Sequence, residues 1–125
     1  MSKYFKYEEF DSPDVQGSGQ LISKDLLDKL DKVREDFGKP IIVTSGYRTI
    51  RHNAKVGGKN PDKNGYGGSS HLHGLAADIS CKNSSDRFKL VQILLKVGFK
   101  RIGIGSSFIH IDIDTDKAQN LIWTY

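Results

Sequence analysis

A chain of 125 residues with a net charge of +4, 37% hydrophobic and 27% charged, is sized and composed for one folded domain, which excludes a disordered polymer. Such a chain should bury roughly two-thirds of the surface that it exposes when unfolded. The only cysteine, Cys81, excludes an internal disulfide and a cysteine-based metal cluster, and no apolar run approaches the length needed for membrane insertion.

The positive balance favours anionic partners such as cell-envelope polymers. Nucleic acid is not expected as a partner, because no Arg/Lys stripe with interleaved aromatics is present. The first ten residues, Met1 to Phe10, lack the apolar h-region of a secretory leader. Synthesis in the cytoplasm without a signal peptide is therefore expected, with another route of delivery if the target lies outside.

Residues 1–20 read as an N-terminal arm, anchored by Tyr4, Phe5, Tyr7 and Phe10 and turned by Ser12-Pro13 and Gly17-Ser18-Gly19. Ser23 is a suitable N-cap, and Leu26, Leu27, Leu30, Val33 and Phe37 follow at helical spacing until Gly38 and Pro40 stop the helix. Pro40 to Thr44 reads as a short apolar strand that delivers Ser45-Gly46-Tyr47-Arg48 at its end. Thr49 can cap a second helix through about Val56, closed by Gly57-Gly58. Residues 59–68, rich in Gly, Asn and Lys, read as a mobile loop.

Leu75 to Ser80 alternates as a strand, with Leu75, Ala77 and Ile79 on one face and Ala76, Asp78 and Ser80 on the other. Ser84 or Ser85 is the expected cap of a third helix carrying Phe88, Val91, Leu94 and Leu95, ended by Gly98. Ile102 and Ile104 mark one more strand and Gly105-Ser106-Ser107 a turn. In the strand that follows, Ile109, Ile111 and Ile113 face the core, so His110, Asp112 and Asp114 share the opposite face. The order of elements does not repeat as βαβ units. It predicts an α+β domain spanning residues 1–125, with a small antiparallel sheet flanked by helices, and a monomer is the expected state.

Two stretches carry chemistry: Ser69-Ser70-His71-Leu72-His73-Gly74-Leu75-Ala76-Ala77-Asp78 and Phe108-Ile109-His110-Ile111-Asp112. Two imidazoles and a carboxylate on separate segments are the usual three protein ligands of a catalytic zinc, with a fourth position open to water. A lone histidine is more often an ordinary surface or core residue, and that bland reading suits His52 and His73. A strand alternating Ile with His and Asp can likewise be a solvated edge. His71, Asp78 and His110 depart from it because they sit among small residues or on a strand's polar face.

Together with Ser-Gly-Tyr-Arg (45–48), these segments resemble the zinc D-Ala-D-Ala carboxypeptidases, grouped with the LAS-type peptidoglycan peptidases of the Hedgehog/DD-peptidase fold. The resemblance runs from about Phe5 to the end. It implies one zinc per chain held by His71, Asp78 and His110, with Arg48 binding or polarising a substrate carbonyl or carboxylate and Ser69 lining the site. It also implies peptidoglycan stem peptides as substrate, cut beside a D-amino acid by a carboxypeptidase or an endopeptidase, as in a small phage endolysin. Many members carry Glu three residues before the last ligand; here that position is Ser107. Asp112 is the replacement expected as general base, with support of the metal site or ligation in place of Asp78 as its competing roles. Loop 59–68 is longer than in close relatives and is expected at the site mouth. A non-catalytic zinc domain of the same fold, used for cell-wall binding or assembly, is the alternative reading.

Overall fold

The computed structural model describes residues 2–125. Helix α1 (Lys24–Phe37) starts where the Ser23 hydroxyl accepts from Leu26 N–H at 3.4 Å, and it stops at Gly38, whose φ of 73° suits glycine. Its stripe of Leu26, Leu27, Leu30, Val33 and Phe37 is buried. Helix α2 (Ile50–Lys55) is capped by the Thr49 hydroxyl. Helix α3 (Ser84–Val97) takes its cap one residue earlier than expected. Asn83, not Ser84 or Ser85, accepts the Asp86 N–H at 2.8 Å. Its core stripe also differs, because Leu90 and Leu94, one turn apart, are buried while Phe88 and Leu95 point outward.

Five strands form one sheet: β1 (Val43–Ser45), β2 (Ala76–Ser80), β3 (Arg101–Ile104), β4 (Phe108–Asp112) and β5 (Leu121–Thr124), in the order β1-β2-β4-β3-β5. The first four pair antiparallel, but β5 lies parallel to β3, so the sheet is mixed rather than wholly antiparallel. This fifth strand is too short to announce itself by alternation, and its pairing with β3 supplies the missing signal. The domain is α+β.

Ala77, Ile79, Ile102, Ile109 and Ile111 turn one sheet face toward α1 and α3 and close a single core with them. The arm joins that core through Phe5 and Phe10, whose rings meet edge-on at 5.8 Å. Strand alternation forces the intervening residues onto the other face, which no long helix covers. That face carries Asp78, His110 and Asp112. No described helix is long and apolar enough to cross a membrane.

Candidate metal centre

Strand β1 reaches the site by a bulge. Val43 pairs with Ile79 and Ser45 with Asp78, so two steps along β1 oppose one along β2. The extra residue re-aims the chain and carries Arg48 across Asp78. Gly46 allows this path, since a Cβ there would stand 2.6 Å from Phe10 Cα. Arg48 Nε donates to Ser45 Oγ at 3.1 Å and Nη1 to Asn53 Oδ1 at 3.2 Å, while Nη2 lies 3.5 Å from Asp78 Oδ2. Asn53 is fully buried and also donates to Lys59 O, so it ties Arg48 to the start of loop 59–68. Further along, Asp62 Oδ1 accepts from Asn64 and Tyr66 N–H, and Gly67 O accepts from His73 Nε2 at 2.8 Å.

His71 sits in a 3₁₀ turn, Ser70–His73, capped by Ser69. Ser69 Oγ accepts from His71 N–H at 3.4 Å, which makes its hydroxyl part of the turn. Buried Ser70 donates to Asp114 Oδ2 at 2.7 Å and accepts from Lys117 Nζ at 2.9 Å, pinning the turn to the segment after β4. Asp114, expected beside His110 and Asp112, is thus used for anchoring. His71 Nδ1 faces Gly46 O at 2.7 Å. A carbonyl can only accept, so Nδ1 carries the proton and Nε2 presents its lone pair. Burial pushes the His71 pKa down and favours this neutral form.

His110 is held from both sides. Its Nδ1 lies 2.9 Å from Asp78 Oδ1 and its Nε2 2.7 Å from Asp112 Oδ2. Burial alone would lower its pKa, but the hydrogen bonds to Asp112 and Asp78 outweigh burial and raise it. Burial likewise pushes the Asp78 carboxyl up, yet the hydrogen bond from His110 overrides it, and the carboxyl stays well below the usual carboxylate range. Asp112 is fully occupied: Oδ2 accepts from His110, while Oδ1 accepts from Arg101 Nε at 2.7 Å and Asp114 N–H at 3.1 Å. Its side chain has no exposed surface.

One ligand atom each from His71, Asp78 and His110 lies within 4.8 Å of the other two. Tetrahedral zinc, about 2.0–2.2 Å from nitrogen and oxygen ligands, needs separations of roughly 3.4 Å. His71 Nε2 and Asp78 Oδ1 stand 3.4 Å apart. With Nδ1 protonated these are two lone-pair atoms facing each other, an arrangement that a cation between them resolves. The outward nitrogens of both imidazoles already have acceptors, Gly46 O and Asp112 Oδ2, as ligand histidines require. The three residues therefore fit a metal.

The sequence model of the family Peptidase M15 matches residues 3–114. The chain belongs to the peptidase M15 family. This zinc-dependent, D-Ala-D-Ala carboxypeptidase-like family fits the ligand set just described. A comparison with curated proteins found no match.

Several parts of the site left little trace in the sequence. Arg101, Asn53 and the Gly46 carbonyl support it from positions that no spacing rule singles out. Trp123 on β5 stands with its ring 5.6 Å from that of His110. A usable signal was Arg101 itself, a charged residue at the head of an otherwise apolar strand.

Proposed function

We propose that this M15 peptidase hydrolyses a peptide bond beside a D-amino acid in peptidoglycan stem peptides, with one zinc on His71, Asp78 and His110. The observation that carries the reading is a buried three-ligand cluster with a guanidinium against its carboxylate. When bound, zinc supplies Lewis acidity toward the scissile carbonyl and lowers the pKa of water to near 7. Gly46 O and Asp112 fix the ring orientation of the two imidazoles. Asp112, its oxygens turned to His110 and Arg101, serves in this reading as the acceptor that orients His110 rather than as the base. Arg48, held by Ser45 and Asn53, binds the substrate carbonyl or carboxylate; its planar fork suits either group. Ser69 acts by holding the His71 turn at the site lining.

Purified peptidoglycan incubated with the zinc-loaded protein is expected to release free D-Ala or new amino termini, blocked by a chelator and restored by zinc. Mass spectrometry separates the two outcomes. Free D-Ala marks a carboxypeptidase, and shortened stems without it mark an endopeptidase. Ser107 is exposed and carries no charge where a carboxylate is expected, which favours a non-catalytic zinc domain as the second reading. A full zinc site with no cleavage of any peptidoglycan type decides for that domain.

Arg48→Ala is expected to lower kcat/KM about 10²-fold or more while zinc content stays near one per chain. Zinc analysis beside kinetics checks it. Loss of zinc together with activity would make Arg48 a support of Asp78 instead.

A further inference from the structure

Strand β5 lies beyond the residues matched to the family. It brings two aromatic rings to the face of the sheet that holds the metal cluster. Gly103 pairs with Trp123 and Ile104 with Thr124, and Tyr125 N–H extends the ladder to Ile104 O at 3.4 Å. Alternation then places Trp123 and Tyr125 on the same side of the sheet. The Trp123 ring also lies 4.9 Å from the Arg101 guanidinium. Glycine makes room for it, since a Cβ at Gly103 would stand 2.7 Å from Trp123 Nε1. In the neighbouring row a Cβ at Gly105 would collide with the Phe108 ring, against which the Tyr125 ring packs at 5.2 Å.

Trp123 is half-buried, whereas Tyr125 is 71% exposed. A ring that open adds little to the core, and its placement beside a polar cluster suits a ligand contact. The ring packs on Phe108, which lies two residues from His110 on the same face of β4, so Tyr125 reaches the strand that carries the cluster. Open as the ring is, partial loss of solvent around the phenol pushes its pKa above the ordinary 10.0, so at neutral pH it is a protonated donor. His110 meanwhile engages both Asp78 and Asp112, and Ser107, immediately before Phe108, offers only a hydroxyl.

We propose that Tyr125 is a further active-site residue, whose phenol O–H donates a hydrogen bond to the substrate carbonyl oxygen as that oxygen gains negative charge, alongside Arg48. The inference rests on the peptidase reading of the same site. The hydrogen bond strengthens as charge develops, so its contribution falls on the transition state more than on bound substrate.

Tyr125→Phe keeps the ring on Phe108 and removes only the O–H. A phosphinate analogue of D-Ala-D-Ala, whose charged oxygens stand for the tetrahedral state, is titrated calorimetrically into zinc-loaded wild type and variant. The variant is expected to bind it about tenfold more weakly or worse, with kcat reduced by a similar factor. Zinc content, melting temperature and affinity for a D-Ala-terminated peptide should remain unchanged. Equal phosphinate affinity in the two proteins overturns the role of Tyr125, whatever the turnover. A preserved affinity difference without any peptidoglycan cleavage overturns the peptidase reading and leaves Tyr125 as a ligand contact. A wild type that does not bind the phosphinate overturns the role of Tyr125, and one that also leaves peptidoglycan uncut overturns the peptidase reading as well.

Discussion

Removing zinc from the protein is expected to lower its melting temperature by roughly 10 °C at neutral pH, and His71→Ala is expected to abolish that difference. The magnitude follows from linkage. Free metal at a hundred times its dissociation constant stabilises the native state by about 2.7 kcal/mol. Each kcal/mol is worth roughly 3–5 °C in a domain of this size. The pH dependence has a definite sign. The folded pKa of His110 is raised above 6.5 by hydrogen bonds to Asp112 and Asp78 that outweigh burial. In the metal-free protein its contribution to stability is therefore fully present below pH 6.5 and lost as pH rises through the raised value. The proton on Nδ1, facing Asp78 Oδ1 at 2.9 Å, occupies the place that the metal needs. Each pH unit below the raised pKa costs about tenfold in apparent zinc affinity. The gap between zinc-loaded and chelated melting temperatures should narrow as pH falls and widen toward neutrality. Scanning calorimetry at several pH values checks it, and a gap independent of pH would contradict His110 as a ligand.

Asp112→Asn is the second large effect. The substitution keeps the shape but removes the charge that orients His110 and pairs with Arg101. The Asp112 side chain is fully buried and that of Arg101 is 11% exposed, so the loss leaves a poorly solvated guanidinium without its carboxylate. Such a break costs about 3 kcal/mol. Zinc affinity should fall about 10- to 100-fold, the usual range for a lost acceptor behind a ligand histidine. Chemical denaturation and competition with a chelating dye measure the two effects. A residue acting as general base would give the opposite pattern, with intact zinc binding and stability and turnover down about 10²-fold or more. Ser107→Glu, which restores a carboxylate three residues before His110, should raise turnover if the site lacks a strong base.

Which residues belonged together was legible from local order, because strand alternation and cap chemistry are short-range properties. The Leu stripe of α1, its Ser23 cap and its Gly38 stop are one example. The shared face of His110 and Asp112 is another, since a period of two admits no other arrangement once Ile109 and Ile111 enter the core. The resemblance then joined His71, Asp78 and His110, and the fold brings ligand atoms of all three within 4.8 Å. What each polar group does with its hydrogen bonds was not legible. Asp112 and Asp114 look alike in sequence, yet one faces His110 and Arg101 and the other holds Ser70.

The same limit applies to Asn53, to the carbonyl of Gly46 and to β5. Each gains its role from a partner distant in the chain: Arg48 and Lys59 for Asn53, His71 for Gly46, and β3 for β5. Periodicity reports which face of an element is apolar, because burial acts on every residue in turn. It does not report which donor meets which acceptor, because that depends on the relative placement of strands fixed only when the whole sheet forms. By itself the sequence determined an α+β domain with one apolar core, and a polar strand face rich in metal-ligand residues. The tertiary structure alone decided that β5 joins parallel to β3, and that this pairing lays Trp123 and Tyr125 beside His110 and Phe108.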